Sequence, residues 1–210
     1  MIEVFIANIN DISNQTYQNF LLKLPNEVEQ KVLAYHQIED RKRTLLGKMI
    51  LLDYLEKHTT LTLFDIKHTK YHKPYIDSSD INFNISHSGK YVVCAFSNSN
   101  PIGIDIEEMS KTINIDDFKD FLLKSDFTMI DKSQNPLKTF YTIWTKKEAL
   151  LKAEGKGLFN DIKKVQIIDD KISFENRDYF TYSYEIDNHI ISLIYQNEED
   201  IKFFERGYRE

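Results

Sequence analysis

Three carboxylates stand at positions that suit metal chemistry. Asp105 and Glu107 alternate with isoleucines in a short apolar run, so a strand there would place both acids on one face. Neighbouring acids repel each other unless a cation lies between them. Glu148 follows in a strong helical pattern, with Lys152 one turn further along the same face. Each feature alone is typical of a solvated surface, but together they predict a Mg²⁺ site that grips phosphates, and hence phosphoryl-type chemistry.

A second group of polar residues precedes this strand. Ser86, His87 and Ser88 are followed by Gly89, between two extended runs at residues 81–85 and 91–96. The composition predicts a tight turn in which Gly89 supplies the permissive backbone. His87 by itself would be an ordinary polar loop residue. Hydroxyl groups beside a glycine can also cradle a phosphate, which agrees with the chemistry predicted for the carboxylates.

Composition and charge narrow the class of protein. The chain has 210 residues and a net charge of −6, and its first hundred residues carry equal numbers of acidic and basic side chains. No broad basic surface is predicted, so duplex nucleic acid is not an expected partner. We expect neither a signal peptide nor a membrane-spanning segment. Because Cys94 is the single cysteine, no intrachain disulfide is possible, and we expect a cytoplasmic protein.

Hydrophobic periodicity predicts the elements that position these residues. In the first half these are a strand at residues 3–7, helices at 26–36 and 40–57, and strands at 81–85 and 91–96. In the second half they are a strand at 102–107, a helical piece at 115–123, a long helix from Asn135-Pro136 to Gly155 and Gly157, and strands at 164–168, 172–174, 179–186 and 189–195, with hairpin turns at Asp169-Asp170 and Asp187-Asn188. This repeated plan predicts an α+β fold of two similar lobes, residues 1–100 and 101–210, each with a long helix packed on a small antiparallel sheet.

In combination these segments resemble the 4′-phosphopantetheinyl transferases, specifically the two-lobed type that activates surfactin synthetase and similar peptide synthetases. The resemblance extends over most of the chain and is weak over the last fifty residues. The matching residues, in order, are Arg43-Thr44-Leu45-Leu46-Gly47, Lys73-Pro74, Phe83-Asn84-Ile85-Ser86-His87-Ser88-Gly89, Ile102-Gly103-Ile104-Asp105-Ile106-Glu107, Trp144-Thr145-Lys146-Lys147-Glu148, Lys152 and Gly155-Lys156-Gly157.

The resemblance implies transfer of the phosphopantetheine arm of coenzyme A to a serine of an apo acyl or peptidyl carrier protein, with release of 3′,5′-ADP. It implies that Asp105, Glu107 and Glu148 hold Mg²⁺ and that Lys152 neutralises the leaving oxygen. It further implies that the candidate base is Glu148 or a metal-bound water beside it, and that His87 is a further catalytic candidate. The implied fold is a pseudo-dimer with the active site between the lobes.

The resemblance also assigns contacts to coenzyme A. Ser86 and His87 resemble contacts to the pyrophosphate or the 3′-phosphate. Thr44, with Arg43 near it, resembles part of the 3′-phosphate pocket, and Lys73 resembles the lysine beside the adenine and ribose. Val28 stands where the resemblance leads us to expect a basic residue that contacts the phosphate. Either Lys31 and Arg41 bind the phosphate instead, or the pocket binds it more weakly.

The sequence also predicts where a carrier protein would bind. The segment between the Asp105 strand and the Trp144 helix is the expected contact for the carrier, with Phe127 and Met129 as exposed apolar contacts and Lys119, Lys124 and Lys132 around them. One chain supplies both halves of the site, so we expect a monomer. The alternatives are a non-catalytic relative that binds coenzyme A or a carrier, and a Mg²⁺-dependent phosphohydrolase.

Overall fold

The computed structural model describes residues 1–77, 79–156, 161–168 and 171–208. Within these ranges the chain forms five α-helices and eleven β-strands, besides short 3-10 turns. The helices are α1 (Asn14–Leu21), α2 (Asn26–Leu33), α3 (Ile38–His58), α4 (Lys124–Lys132) and α5 (Pro136–Glu154). The strands are β1 (Ile2–Asn8), β2 (Ile66–His68), β3 (Pro74–Ile76), β4 (Asn82–Ser88), β5 (Tyr91–Ser97), β6 (Ile102–Glu108), β7 (Gln166–Ile168), β8 (Lys171–Phe174), β9 (Arg177–Ile186), β10 (His189–Tyr195) and β11 (Ile201–Arg206).

The first sheet has the strand order β11-β1-β5-β4, and α3 packs on one of its faces. Strand β1 is antiparallel to β5 but parallel to β11. Every residue of β5 is buried, because both faces of this strand are covered. Val92, Cys94 and Phe96 pack against the helices, and Val93 and Ala95 pack on the opposite side.

The second sheet has the strand order β6-β10-β9-β8-β7, and all its neighbouring strands are antiparallel. Helix α5 lies across β6 and β10. Its apolar face supplies Phe140, Ile143 and Leu150 to a core that also contains Ile190 and Ile194 of β10. The long helix of this half is therefore packed on its sheet, as the periodicity predicted.

The two sheets face each other across a third apolar layer. Alternate residues of four strands build this layer, since side chains along a strand point to opposite faces in turn. Its members are Ile2, Val4, Ile6, Tyr91, Val93 and Ala95 from the first sheet, and Ile102, Ile104, Ile106, Ile191, Leu193 and Tyr195 from the second. At one end of the layer, β4 and β6 lie side by side although they belong to different sheets.

Helix α5 begins and ends where its sequence indicates. The side chain of Asn135 accepts a hydrogen bond from the backbone N–H of Lys138 at 3.1 Å, and Pro136 occupies the first turn. Gly155 ends the helix in the left-handed conformation with φ of 65°. Gly157, the other predicted stop, lies outside the described residues, as do Asp169 and Asp170.

The mixed α+β character of the chain is confirmed, whereas the division at residue 100 stays a prediction. The prediction of a tight turn over residues 86–89 is wrong in its position: Ser86, His87 and Ser88 belong to β4, and the reversal occurs at Gly89 and Lys90. Gly89 does take a positive φ, of 52°.

Other elements differ from the predictions in extent. The helical piece at 115–123 is a 3-10 turn, Ile115–Phe118. Hydrophobic periodicity did not predict α1, α4, the small sheet of β2 and β3, or β11. Among the described residues, no helix is both long and apolar enough to cross a membrane.

Candidate active site

Asp105, Glu107 and Glu148 meet at one point between β6 and α5. Each offers a carboxylate oxygen, and these oxygens all lie within 4.8 Å of one another. The two strand residues share the face of β6 that is opposite to Ile104 and Ile106, as the alternation predicted. Asp105 is 1% exposed, and the other two carboxylates are half-buried.

Close packing of α5 on β6 brings Glu148 to the strand. Gly103 lies on the same face as Asp105, one position earlier in the alternation, and directly beneath the helix backbone. A Cβ on Gly103 would lie 1.9 Å from the carbonyl oxygen of Ala149 and 2.6 Å from the amide nitrogen of Ala153. Only glycine fits at this contact, so Gly103 sets the distance between helix and strand.

Side chains from β4 hold the carboxylates from the other sheet. Ser86 donates its hydroxyl hydrogen to Asp105 Oδ1 at 2.8 Å, and Ser88 donates to Glu107 Oε2 at 2.9 Å. Lys152 Nζ completes the group, because it lies 2.5 Å from Asp105 Oδ1 and 2.9 Å from Ser86 Oγ. The site is thus assembled from both sheets and α5.

Crowding of like charges shifts the ionisation of the site. Burial, and secondly the charge of Asp105, raise the pKa of Glu107 to about 7. The same causes, together with Glu107, raise the pKa of Glu148 to about 8. Burial lowers the pKa of Lys152, but the charges of Asp105 and Glu148 outweigh that effect and raise it. The protein therefore concentrates more negative charge here than one lysine balances.

The donor set fits a hard divalent cation. Asp105 Oδ2 is buried without a hydrogen-bond partner, so one oxygen of the cluster has a free lone pair inside the protein. Three carboxylates with partial solvent access match the preference of Mg²⁺ for oxygen ligands and retained waters. Asp105, Glu107 and Glu148 are therefore the residues able to hold such an ion.

His87 and Arg43 lie on the other side of β4. His87 is exposed and alternates with Ser86 and Ser88, so it points towards α3 rather than towards the carboxylates. Arg43 donates to the Gly89 carbonyl at 2.6 Å and pairs with Asp40 at 2.5 Å. Desolvation, and then the charges of Arg43 and Lys152, lower the pKa of His87, which keeps its imidazole neutral near pH 7.

Lys73 lies in a cavity of about 260 Å³ next to the carboxylates. Lys152 lines the same cavity, which places Lys73 beside the site. The amino group of Lys73 donates to the carbonyl of Ala153 at 2.5 Å, so it also satisfies a carbonyl at the end of α5. Burial lowers the pKa of Lys73.

Thr44 lies in a different and larger cavity, of about 640 Å³, between α2, α3 and β2. Lys31, Lys48 and Val28 line it as well. Arg41 is not among the lining residues of this cavity; its Nε donates to the carbonyl of Tyr35 at 2.7 Å. The structure thus brings Asp105, Glu107, Glu148, Lys152 and Ser86 together and places Thr44 apart from them.

Comparison with known proteins decides the family. A family model described as the 4′-phosphopantetheinyl transferase superfamily matches residues 101–198, and one described as 4′-phosphopantetheinyl transferase, N-terminal, matches residues 11–99. The transferase gsp of Aneurinibacillus migulanus is 34% identical over 172 residues, which are 80% of this chain and 71% of that protein. The chain belongs to the 4′-phosphopantetheinyl transferases.

Two further relatives of this transferase come from Bacillus subtilis. The 4′-phosphopantetheinyl transferase Sfp of strain 168 is 37% identical over 152 residues, covering 70% of this chain and 67% of Sfp. The 4′-phosphopantetheinyl transferase ffp is 34% identical over 173 residues, covering 77% of this chain and 76% of ffp. The prediction of the family and of an enzyme is confirmed.

The sequence did not single out Ser88 and Gly103, which shape the site, or Lys48, which lines the cavity beside Thr44. Ser88 was included in a turn, yet in a strand it shares a face with Ser86, two positions earlier. Gly103 was noted only as a member of the motif. Lys48 stands one helical turn after Thr44, so the spacing within α3 was the available signal for its place in the same cavity.

Proposed function

We propose that this transferase moves the 4′-phosphopantetheine arm of coenzyme A to a serine hydroxyl of an apo acyl or peptidyl carrier protein and releases 3′,5′-ADP. In this reaction the serine oxygen forms a bond to the phosphorus that carries the pantetheine. The bond from that phosphorus to the bridging oxygen of the pyrophosphate breaks. The meeting of Asp105, Glu107 and Glu148 beside Lys152 supports this reaction, because it joins a site for a divalent cation to a cation for the leaving oxygen.

The carboxylates and Lys152 have separate roles in the proposed reaction. Asp105, Glu107 and Glu148 would hold Mg²⁺, which when bound neutralises charge on the pyrophosphate. Lys152 donates a hydrogen bond to the oxygen that leaves with 3′,5′-ADP. Glu148 accepts the proton of the carrier serine. Ser86 orients Asp105 and Lys152 together, since its hydroxyl contacts both groups.

Coenzyme A then extends from the carboxylates along the first lobe. Its adenosine lies in the cavity beside Lys73. This cavity adjoins the carboxylates, because Lys152 lines it too. Its 3′-phosphate lies in the larger cavity beside Thr44. The two cavities share the sheet of β2 and β3, because His68 lines the larger one and pairs in register with Pro74, which lines the smaller one. Arg43 contributes positive potential at the edge of the phosphate path, and the neutral imidazole of His87 offers one N–H donor there.

The architecture belongs to the same proposal. The lobes are residues 1–100 and 101–210, related as a pseudo-dimer, with the active site between them. The contacts of Ser86 and Ser88 in one sheet with acids of the other support this position of the site. The carrier docks on the segment around α4, and the enzyme works as a monomer in the cytoplasm.

Mass spectrometry of an apo carrier incubated with coenzyme A and Mg²⁺ tests the function. Transfer adds one phosphopantetheine group to the carrier, whereas a phosphohydrolase consumes coenzyme A alone and a binding protein does neither. The variant Asp105→Asn should lose at least roughly 100-fold in rate, beyond the usual effect of residues that only orient ligands. The matched control Asp178→Asn, at an exposed side chain of β9, should transfer normally. Unloaded carrier across a panel of fatty-acid, polyketide and peptide carriers would reject the proposal.

A further inference from the structure

The cavity between α2, α3 and β2 contains a half-buried lysine, Lys48. Lys48 lines this space of about 640 Å³ together with Lys31, Thr44 and His68. Lys48 is half-buried and lies one turn of α3 beyond Thr44, so both side chains face the same space.

The lining of this cavity contains two lysines and one carboxylate. Among the described residues, no ion pair within 4 Å includes Lys48 or Lys31. Glu27 is the one carboxylate among the lining residues, and it is exposed. A half-buried cation is usually paired, because desolvation without a partner costs free energy. The unpaired Lys48 thus leaves room for an anion.

The pKa shifts of the side chains that line the cavity agree with a site for an anion. Burial lowers the pKa of Lys48, and the charge of Lys31 lowers it further. Burial, followed by Lys48, Lys31 and His72, lowers the pKa of His68, so its ring is neutral near pH 7 and offers one N–H donor. A bound dianion would stabilise the charged form of both lysines, because it relieves the repulsion between them.

Helix α2 supplies one lysine, Lys31, to the wall of this cavity, so Lys48 of α3 is needed as a second cation. Val28 stands on this wall and contributes an apolar side chain. Arg41, the other cation considered for the phosphate, is turned to the Tyr35 carbonyl instead. The cationic wall of the cavity therefore consists of Lys31 on α2 and Lys48 on α3.

We infer that Lys48 is a specificity-determining residue that binds the 3′-phosphate of coenzyme A and distinguishes it from substrates that lack this group. The inference rests on the proposed function. A phosphomonoester dianion suits two lysines and a threonine hydroxyl, which together supply charge-assisted hydrogen bonds on different sides of the phosphate. Lys48 on α3 supplies the positive charge that the apolar Val28 on α2 cannot supply.

Binding of adenosine 3′,5′-bisphosphate and of AMP, measured by calorimetry, tests the inference without turnover. Lys48→Met should weaken binding of the bisphosphate roughly ten- to hundredfold, the range for a hydrogen bond between charged groups, and change AMP binding less than twofold. Lys48→Arg should retain most of the discrimination. The control Lys57→Met, at an exposed lysine of the same helix, should match the parent protein.

Kinetics with coenzyme A and dephospho-coenzyme A give the second measurement. Lys48→Met should raise KM for coenzyme A by a similar factor and leave kcat within twofold, because the 3′-phosphate is remote from the reacting phosphorus. Equal losses with both nucleotides, or unchanged binding of the bisphosphate, would overturn the role of Lys48. Discrimination between bisphosphate and AMP without any carrier loading would instead reject the proposed function and keep the role of Lys48.

Discussion

Ser88 donates its hydroxyl hydrogen to Glu107 across the boundary between the two sheets. The oxygens lie 2.9 Å apart, and the same serine oxygen accepts the backbone N–H of Glu108 at 3.0 Å. Four residues earlier in β4, the side-chain oxygen of Asn84 accepts the backbone N–H of Ile104 at 2.8 Å on the same boundary. Side chains of β4 thus supply the polar contacts to β6, and the geometry of the carboxylates depends on how the two sheets are joined.

Replacement of Ser88 by alanine should weaken the metal site. The Ser88 hydroxyl lowers the pKa of Glu107, so its loss raises this pKa further and removes the group that orients the carboxylate. We expect the Mg²⁺ concentration for half-maximal transfer to rise about tenfold, with the rate recovering at saturating Mg²⁺. Activity titrations with Mg²⁺ measure this.

A matched control for this change lies far from the site. Ser99 donates its hydroxyl hydrogen to the carboxylate of Glu199, so Ser99→Ala also deletes a serine–glutamate hydrogen bond. Its Mg²⁺ titration should match that of the parent enzyme. An equal shift in both variants would show that Ser88 does not orient the metal ligands.

The stability of the metal-free protein should fall as the pH rises. The pKa of Glu107 is raised to about 7 and that of Glu148 to about 8, from an ordinary value near 4.5 in the unfolded chain. Between these values the folded state binds more protons than the unfolded state, so the free energy of unfolding decreases with pH up to about 8. Mg²⁺ binds the ionised carboxylates, so the increase in Tm that it causes should be larger at pH 8.5 than at pH 6. A larger increase at pH 6 would contradict the raised pKa values.

Gly103→Ala should destabilise the protein and impair the site together. The added methyl would meet backbone atoms of Ala149 and Ala153, which cannot rotate away, so α5 must move from β6. We expect a loss of about 1–3 kcal/mol in the free energy of unfolding in urea, and a raised Mg²⁺ requirement. Gly207→Ala is the control, because its Cβ would meet no atom within 4 Å, and it should change stability by less than about 0.5 kcal/mol. Similar stability of both variants would refute the close contact.

The carrier surface is tested best at Met129. Its side chain is 38% exposed on α4, whereas Phe127 packs partly into the core of the second half, which corrects the expectation that both are exposed contacts. Met129→Ser should raise KM for the carrier severalfold and leave the KM for coenzyme A unchanged. Leu22→Ser, at an apolar side chain that is 83% exposed on the first half, is the control. Unchanged carrier kinetics for Met129→Ser would place the docking surface elsewhere.

The central part of the site was predictable because it depends on local periodicity. Alternation placed Asp105 and Glu107 on one face, and helical spacing placed Glu148 and Lys152 together. The contacts of Ser86 and Ser88 were beyond such reasoning. Their composition is typical of a turn, but pairing with the buried strand β5 keeps them extended, so tertiary pairing prevails over local propensity.

Distant pairings explain the other differences between prediction and structure. Strand β11 pairs with β1 although nearly the whole chain separates them, and no local pattern reports a partner so far away. The same holds for Thr44 and Lys73. The resemblance assigns Thr44 to the 3′-phosphate and Lys73 to the adenine and ribose, but only the packed structure shows that they line two separate cavities.

The parallel pairing of β1 with β11 also bears on how the protein is made. A ribosome that has released the first hundred residues has delivered β1, β4 and β5, but the outer edge of β1 still lacks its neighbour. That edge stays open until residues 201–206 have also been synthesised. The first sheet is consequently completed by a strand that follows the whole second sheet in sequence, and until that strand is available the nascent chain exposes an unpaired strand edge to other chains.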